Sequence, residues 1–175
     1  PIMPNRLTLL ALPGIPLVEP GDDLCGLIGD AIIRAGEELH DGDVLVIAQK
    51  IVSKSEGRFA DLDTVEPSAE ALTLAGKTEK DPRLVELILS ESRAVLRYRA
   101  NVIIVEHRLG FVLANAGIDQ SNVALNNDGR RVLLLPLDPD KTCTQLREGI
   151  ATRFGKDVAV VINDSVGRAW RVGTV

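Results

Sequence analysis

Aromatic side chains are nearly missing from this sequence. Three Phe, one Tyr and one Trp make up 3% of 175 residues. Hydrophobic residues still reach 45%, so the core has to be built from Leu, Val, Ile and Ala. Thiols are as scarce. Cys25 and Cys143 stand far apart with no Cys-x-x-Cys spacing. That excludes a disulfide framework or a zinc ribbon and fits two reduced thiols in a cytosolic protein. An excess of positive charge is missing too: 20 Lys and Arg against 25 Asp and Glu leave a net charge of −5. A general nucleic-acid binder rests on clustered cations, so that class is excluded. An anionic partner would need a local basic patch or a bridging metal. Long apolar runs are absent as well. The one in "PIMPNRLTLLALPG" covers about six residues and is flanked by proline, too short for a signal peptide. Nothing approaches the ~20 apolar residues of a membrane span. The expectation is a soluble, cytoplasmic, single-domain chain over residues 1–175.

What is present alternates helix and strand. Leu24, Leu27, Ile28, Ala31, Ile32, Ala35 and Leu39 follow the 3,4,7 spacing of one buried helix face, with Asp22 or Asp23 as cap. After the Asp41-Gly42-Asp43 turn, "VLVIAQ" predicts a short buried strand. Residues 60–80, polar and Ala-rich, predict a loop with some helix. Asp81-Pro82 opens a helix to about Tyr98. "NVIIVEHRLGFVLA" predicts two strands joined near Arg108-Leu109-Gly110, and "RRVLLLPL" another. Residues 141–154 predict a helix stopped by Gly155, and "DVAVVIND" a buried strand ending on a carboxylate. The expected class is α+β (mixed α/β): a mixed sheet with amphipathic helices packed on it.

Chemistry-bearing residues gather in three stretches. Gly76-Lys77-Thr78 imitates the tail of a P-loop, but Ala71 stands where its first glycine belongs and no buried strand precedes it. "AQKIVSKSEGR" sets Lys50, Ser53, Lys54, Glu56 and Arg58 just after a strand. Ammonium and hydroxyl groups suit phosphate oxygens; a solvated strand end is the alternative. "NAGIDQSN" surrounds Asp119 with Gly117, Ser121 and Asn122, either a ligand-binding carboxylate or an Asx-type turn. "VAVVINDSVGRAWR" ends an apolar strand on Asp164 and Ser165, oxygen donors suited to magnesium, with Arg168 close behind. His107, at a strand end, reads more simply as structural or exposed than as a general base. Two separate carboxylates with several cations form the set that phosphate-plus-metal chemistry needs.

"GIPLVEPGDDL", "DGDVLVIAQKIVSKSEGR", "DPRLVELILSESRAVLR", "NAGIDQSNV", "LLLPLDPD" and "VAVVINDSVGRAWRVG", in that order, resemble the coenzyme F420-0:γ-glutamyl ligase family from about Ile15 to Gly173. The resemblance implies an enzyme that joins L-glutamate to the terminal carboxylate of coenzyme F420-0 and then adds γ-linked glutamates. It implies consumption of GTP, an acyl phosphate, Mg2+ or Mn2+, an assisting K+, and a homodimer. By motif, Ile15, Pro16, Leu17, Val18, Gln49, Lys50, Lys54 and Asn122 would contact GTP. Asp119, Asp164 and Ser165 would hold metal, and Lys54 and Arg168 would neutralise charge during transfer. Ser165 stands in place of the family's threonine and keeps the hydroxyl; Val166 and Ala169 replace a phenylalanine and a proline. The resemblance also implies a family fold that continues past Val175, so that its C-terminal part is lacking here. Two other readings are a catalytically silent nucleotide-binding member and a ligase for a different carboxylate acceptor.

Overall fold

The structure, a computed structural model, describes residues 7–120, 130–165, 167–168 and 171–174. Among these are five α-helices and nine strands, so the class is α+β. Helix α1 spans Leu24–Ala35 and stops at Gly36, whose φ of 71° is the left-handed C-cap that glycine favours. It therefore ends before Leu39, which packs on the same core from the following loop. Strand β1 (Val44–Ala48) leads directly into α2 (Gln49–Ser55), so "QKIVSKS" is a helix and not the strand end that its polarity suggests. Strand β2 covers Phe59–Asp61.

Helix α3 (Ala69–Thr78) occupies much of the expected loop. The Ser68 hydroxyl caps it by accepting from the Ala71 N–H at 3.2 Å. Ala71, Leu74, Ala75 and Thr78 form its buried stripe, a 3,4,7 pattern hidden by small residues. Helix α4 covers only Pro82–Ser90, with the Asp81 carboxylate accepting from the Arg83 N–H. The rest of the expected helix is β3 (Ser92–Arg99). The reason is tertiary. Strand β4 (Val102–His107) is largely buried, so its backbone polar groups need partners on both edges. They find them in β3 and in β5 (Val112–Ala114), both antiparallel.

The remaining elements are β6 (Arg131–Leu133), α5 (Pro139–Phe154), β7 (Ala159–Asn163), β8 (Gly167–Arg168) and β9 (Arg171–Thr174). The strands are shared among small sheets: β1 pairs with β7 in parallel, β2 with β6 and β8 with β9 antiparallel. Two apolar cores result. Leu74, Val85, Ile88, Ile103, Val105 and Val132 unite α3 and α4 with β4 and β6. Ile28, Ile32, Ile47, Val52, Leu146 and Ile150 unite α1, α2 and α5 with β1. Both cores are aliphatic, as the scarcity of aromatics requires. No described helix is long and apolar enough to cross a membrane.

Candidate functional site

A cavity of about 610 Å³ opens on the seam between the two cores. Its walls are Ala48, Gln49 and Lys50 on one side, Asn163, Asp164 and Ser165 beside them, and Ala114, Asn115 and Gly117–Asp119 opposite. The first two groups adjoin because β1 and β7 run parallel, with Ala48 opposite Asn163. Both strands deliver their carboxyl ends to one place, where α/β folds commonly hold ligands. The third group arrives from the other core, on the turn after β5.

That turn has unusual backbone geometry. Asn115, Ala116 and Gly117 have φ of 51°, 53° and 67°, three left-handed residues in succession. Such a conformation costs roughly 1 kcal/mol or more per non-glycine residue. It is held by the Asn115 side chain, whose Oδ1 accepts from the Ile103 N–H at 3.0 Å, and by the full burial of Ala116. The turn ends in a bridge to β6: the Asp119 N–H donates to the Leu133 carbonyl, and the Leu133 N–H donates back, both at 2.9 Å. So "NAGID" works as a rigid bracket that presents the Asp119 carboxylate to the cavity. The asparagine bonds to a distant strand, unlike the local Asx turn that composition alone allowed.

A Cβ on Gly117 would lie 3.0 Å from Leu113 Cδ1 and from both Leu135 methyls, on a left-handed backbone. Gly117→Ala is expected to cost about 1–2 kcal/mol, read as a fall in urea midpoint at unchanged m-value. An unchanged midpoint would show that the turn tolerates the side chain.

Charge in the cavity is opposed and close. Lys50 Nζ contacts Asp119 Oδ2, with the lysine side chain 42% and the aspartate 20% exposed. Asp164 is open to solvent but sits within this field. Its carboxyl is pushed above the ordinary carboxylate value by partial enclosure, opposed by the Ser165 N–H, and pushed up further by Asp119, with Lys50 opposing. The two carboxylates therefore repel each other across shared space, with the Lys50 ammonium against Asp119. This donor set of two carboxylates and the Ser165 hydroxyl suits a hard divalent cation whose shell is completed by water or phosphate oxygens. No group of three or more His, Cys, Asp and Glu gathers among the described residues, so an all-protein carboxylate cage is not formed there.

Of the sequence-predicted site residues, Gln49, Lys50, Asp119, Asp164 and Ser165 line this cavity. Gln49 is nearly buried, and its Nε2 donates to Ser53 Oγ at 2.6 Å, fixing the start of α2 at the cavity wall. Lys54 is half-buried one helical turn beyond Lys50 and is not among the lining residues. Ile15, Pro16, Leu17 and Val18 also lie elsewhere: Ile15 and Val18 pack on the core of α1 and α5, while Leu17 is 79% exposed. Asn122 and the Arg168 side chain lie outside the described residues. Asn115 and Asn163 line the cavity and were not singled out by the sequence. For Asn163 the signal was available, since it directly precedes Asp164 at the strand end.

The acidic and guanidinium ends of "SKSEGR" have structural work. The Glu56 carboxylate accepts from the Leu137 N–H at 2.7 Å and the Thr142 hydroxyl at 2.9 Å, tying α2 to the start of α5. Arg58 donates to the Leu135 carbonyl and to Glu91 Oε1, both at 2.8 Å. Arg108 Nε donates to Glu91 Oε2 at 3.0 Å. His107 is fully buried; its Nδ1 accepts from the Leu109 N–H, and its Nε2 lies 3.5 Å from Glu91 Oε2. That histidine is a structural group away from the cavity. Gly76-Lys77-Thr78 is the last turn of α3, where the buried Thr78 hydroxyl donates to the Leu74 carbonyl.

Comparison with known proteins follows the same lines. A family model described as F420-0:gamma-glutamyl ligase matches residues 14–175. A protein named coenzyme F420:L-glutamate ligase from Methanothermobacter thermautotrophicus is 45% identical over 169 residues, 97% of this chain and 66% of that protein. Proteins of the same name from Methanopyrus kandleri and Archaeoglobus fulgidus are 45% and 38% identical, each over 97% of this chain and over 65% and 64% of their own lengths. The chain thus spans about two thirds of the length of these curated relatives.

Proposed function

The chain belongs to the F420-0:γ-glutamyl ligase family, and from that premise we propose that it carries the metal- and nucleotide-binding part of a GTP-dependent amide ligase. The reaction joins the amine of L-glutamate to the terminal carboxylate of coenzyme F420-0, and then to the γ-carboxylates of glutamates already added. The observation that carries this reading is the seam cavity: Asp119 and Asp164 face one space, with the Lys50 ammonium against Asp119.

A carboxylate and an amine do not condense in neutral water, because hydroxide is a poor leaving group. In the proposed reaction a carboxylate oxygen attacks the γ-phosphorus of GTP, the bond to the β-phosphate oxygen breaks, and GDP leaves. The glutamate nitrogen then attacks the acyl carbon, the carbon–oxygen bond to phosphate breaks, and the amine proton passes to solvent. The protein's share of such chemistry is position and charge neutralisation. Asp119, Asp164 and Ser165 would hold Mg2+ or Mn2+, which supplies screening of the phosphate charge. Lys50, with Lys54 and Arg168 near the site's margin in sequence, supplies further positive charge. The rigid turn at Asn115–Gly117 keeps Asp119 in place, and Gln49 with Ser53 holds the first turn of α2.

The same reading includes an assisting K+, a cytoplasmic setting and a homodimer. In support of the last, Val44, Val46 and Val161 leave one face of the β1–β7 pair exposed. Parallel strands are ordinarily covered on both faces.

The test is direct. The purified chain with F420-0, L-glutamate, GTP and Mn2+ is expected to yield F420 species heavier by whole glutamyl units, lost when GTP is omitted. Product with another carboxylate acceptor but not with F420-0 would change the substrate. GTP binding without any product would assign the chain a nucleotide-binding role alone.

A further inference from the structure

We propose that Lys50 is the counter-ion of Asp119 and competes with a divalent cation for that carboxylate, so that the cation enters only by displacing the ammonium. This rests on the metal-site reading above and adds its regulation.

Three observations carry it. Lys50 Nζ contacts the Asp119 carboxylate directly, at the wall of the cavity. Asp164, the second carboxylate of the proposed site, also feels both the Lys50 charge and the Asp119 charge. The Lys50 charge therefore reaches both acids of the proposed metal site. Finally, Lys50 sits in the first turn of α2, whose start is held by the buried Gln49–Ser53 hydrogen bond, on a side chain still 42% exposed. The backbone is anchored while the side chain reaches solvent. Displaced from Asp119, the ammonium remains inside a cavity that its own residue lines, where a phosphate oxygen offers a new partner.

The consequence is coupling. A cation entering alone strands the lysine next to a double positive charge. A cation entering with a polyanion gives the lysine a partner. The lone-cation site is therefore weak, and cation and polyanion favour each other's binding reciprocally.

The experiment is a Mn2+ titration of the full chain without nucleotide, reading the free-ion EPR signal, at fixed ionic strength. Lys50→Gln is expected to bind Mn2+ about 10-fold more tightly than the parent chain, within the usual span of site coupling. Lys50→Met, which also removes the charge, must tighten binding similarly. Lys54→Gln removes the same charge one turn along the same helix and should change affinity less than about two-fold. Unchanged or weaker binding by both Lys50 variants overturns the counter-ion role. Equal tightening by Lys54→Gln also overturns it, because a general field would then explain the gain. Asp119→Asn separates the two readings: it should lose the site, and if it binds Mn2+ like the parent, the metal-site reading fails whatever Lys50 does.

Discussion

With the proposed ligase activity as the readout, Asp119→Asn is expected to lower turnover by roughly 10²–10³-fold, the range found when one preorganised electrostatic group is removed. Stability should barely change. The substitution keeps the shape of the side chain and leaves intact the paired backbone hydrogen bonds to Leu133 that hold residue 119. It removes the contact with Lys50, but that pair is partly solvated, and such pairs contribute about 0–1 kcal/mol. It also relieves the repulsion toward Asp164. Activity and melting temperature should therefore separate: a large loss in product formation, a melting point within a few degrees. Full turnover in the variant would remove Asp119 from the chemistry. A collapse of the melting point with the loss would make its role structural.

The opposite separation is expected at Glu91. This residue is 8% exposed and lies at the end of α4, outside the cavity lining. Burial alone would push its carboxyl up, but His107, Arg58 and Arg108 outweigh burial and hold it at about 2, against an ordinary 4.5. A depressed carboxylate contributes stability that is fully present above the ordinary value and is lost as pH falls toward the folded one. The difference corresponds to about 3 kcal/mol. Glu91→Gln should accordingly lower unfolding free energy by about 3 kcal/mol at pH 7, since two guanidinium groups lose their shared negative charge and one of its two acceptor oxygens. The gap between parent and variant should close as pH drops from 4.5 toward 2, where the parent carboxyl becomes neutral. Denaturant melts at several pH values read this directly. A gap below about 1 kcal/mol at pH 7 would mean that the arginines find enough compensation in the carbonyls of Leu135, Pro136 and Leu137. A gap independent of pH would point to packing in place of charge.

These two aspartate and glutamate positions show how differently a carboxylate reads in a sequence. Asp119 sits among Asn, Gly and Ser, a context that allowed either a ligand-binding carboxylate or an Asx-type turn. Glu91 sits in "LSESRA" with no local mark, because its partners come from β2's approach, the β4 end and the loop beyond it. Composition and spacing determined the aliphatic core, helices α1 and α5, strands β4 and β5, the places of β1 and β7, and the strand end at Asp164, but β1 and β7 are not the buried strands expected: Val44, Val46 and Val161 stand exposed. Each of these rests on short-range periodicity or on a cap within a few residues. The long helix expected to Tyr98 broke for a non-local reason, since Ser92–Arg99 is needed as the edge partner of the buried β4.

The site divides in the same way. From sequence alone came two acids, an amide-rich turn, a lysine after a strand and the family to which the chain belongs. Only tertiary structure decided which of these meet. Parallel pairing of β1 with β7 sets Gln49 and Lys50 beside Asp164, and the bridge between Asp119 and Leu133 brings the other core's carboxylate to the same seam. Such pairings join residues far apart in the chain through backbone hydrogen bonds that any side chain permits, so no local pattern encodes them. For that reason Lys50 and Lys54, alike in sequence, have unlike surroundings: one turn of helix separates the lysine that faces Asp119 from the one that does not line the cavity.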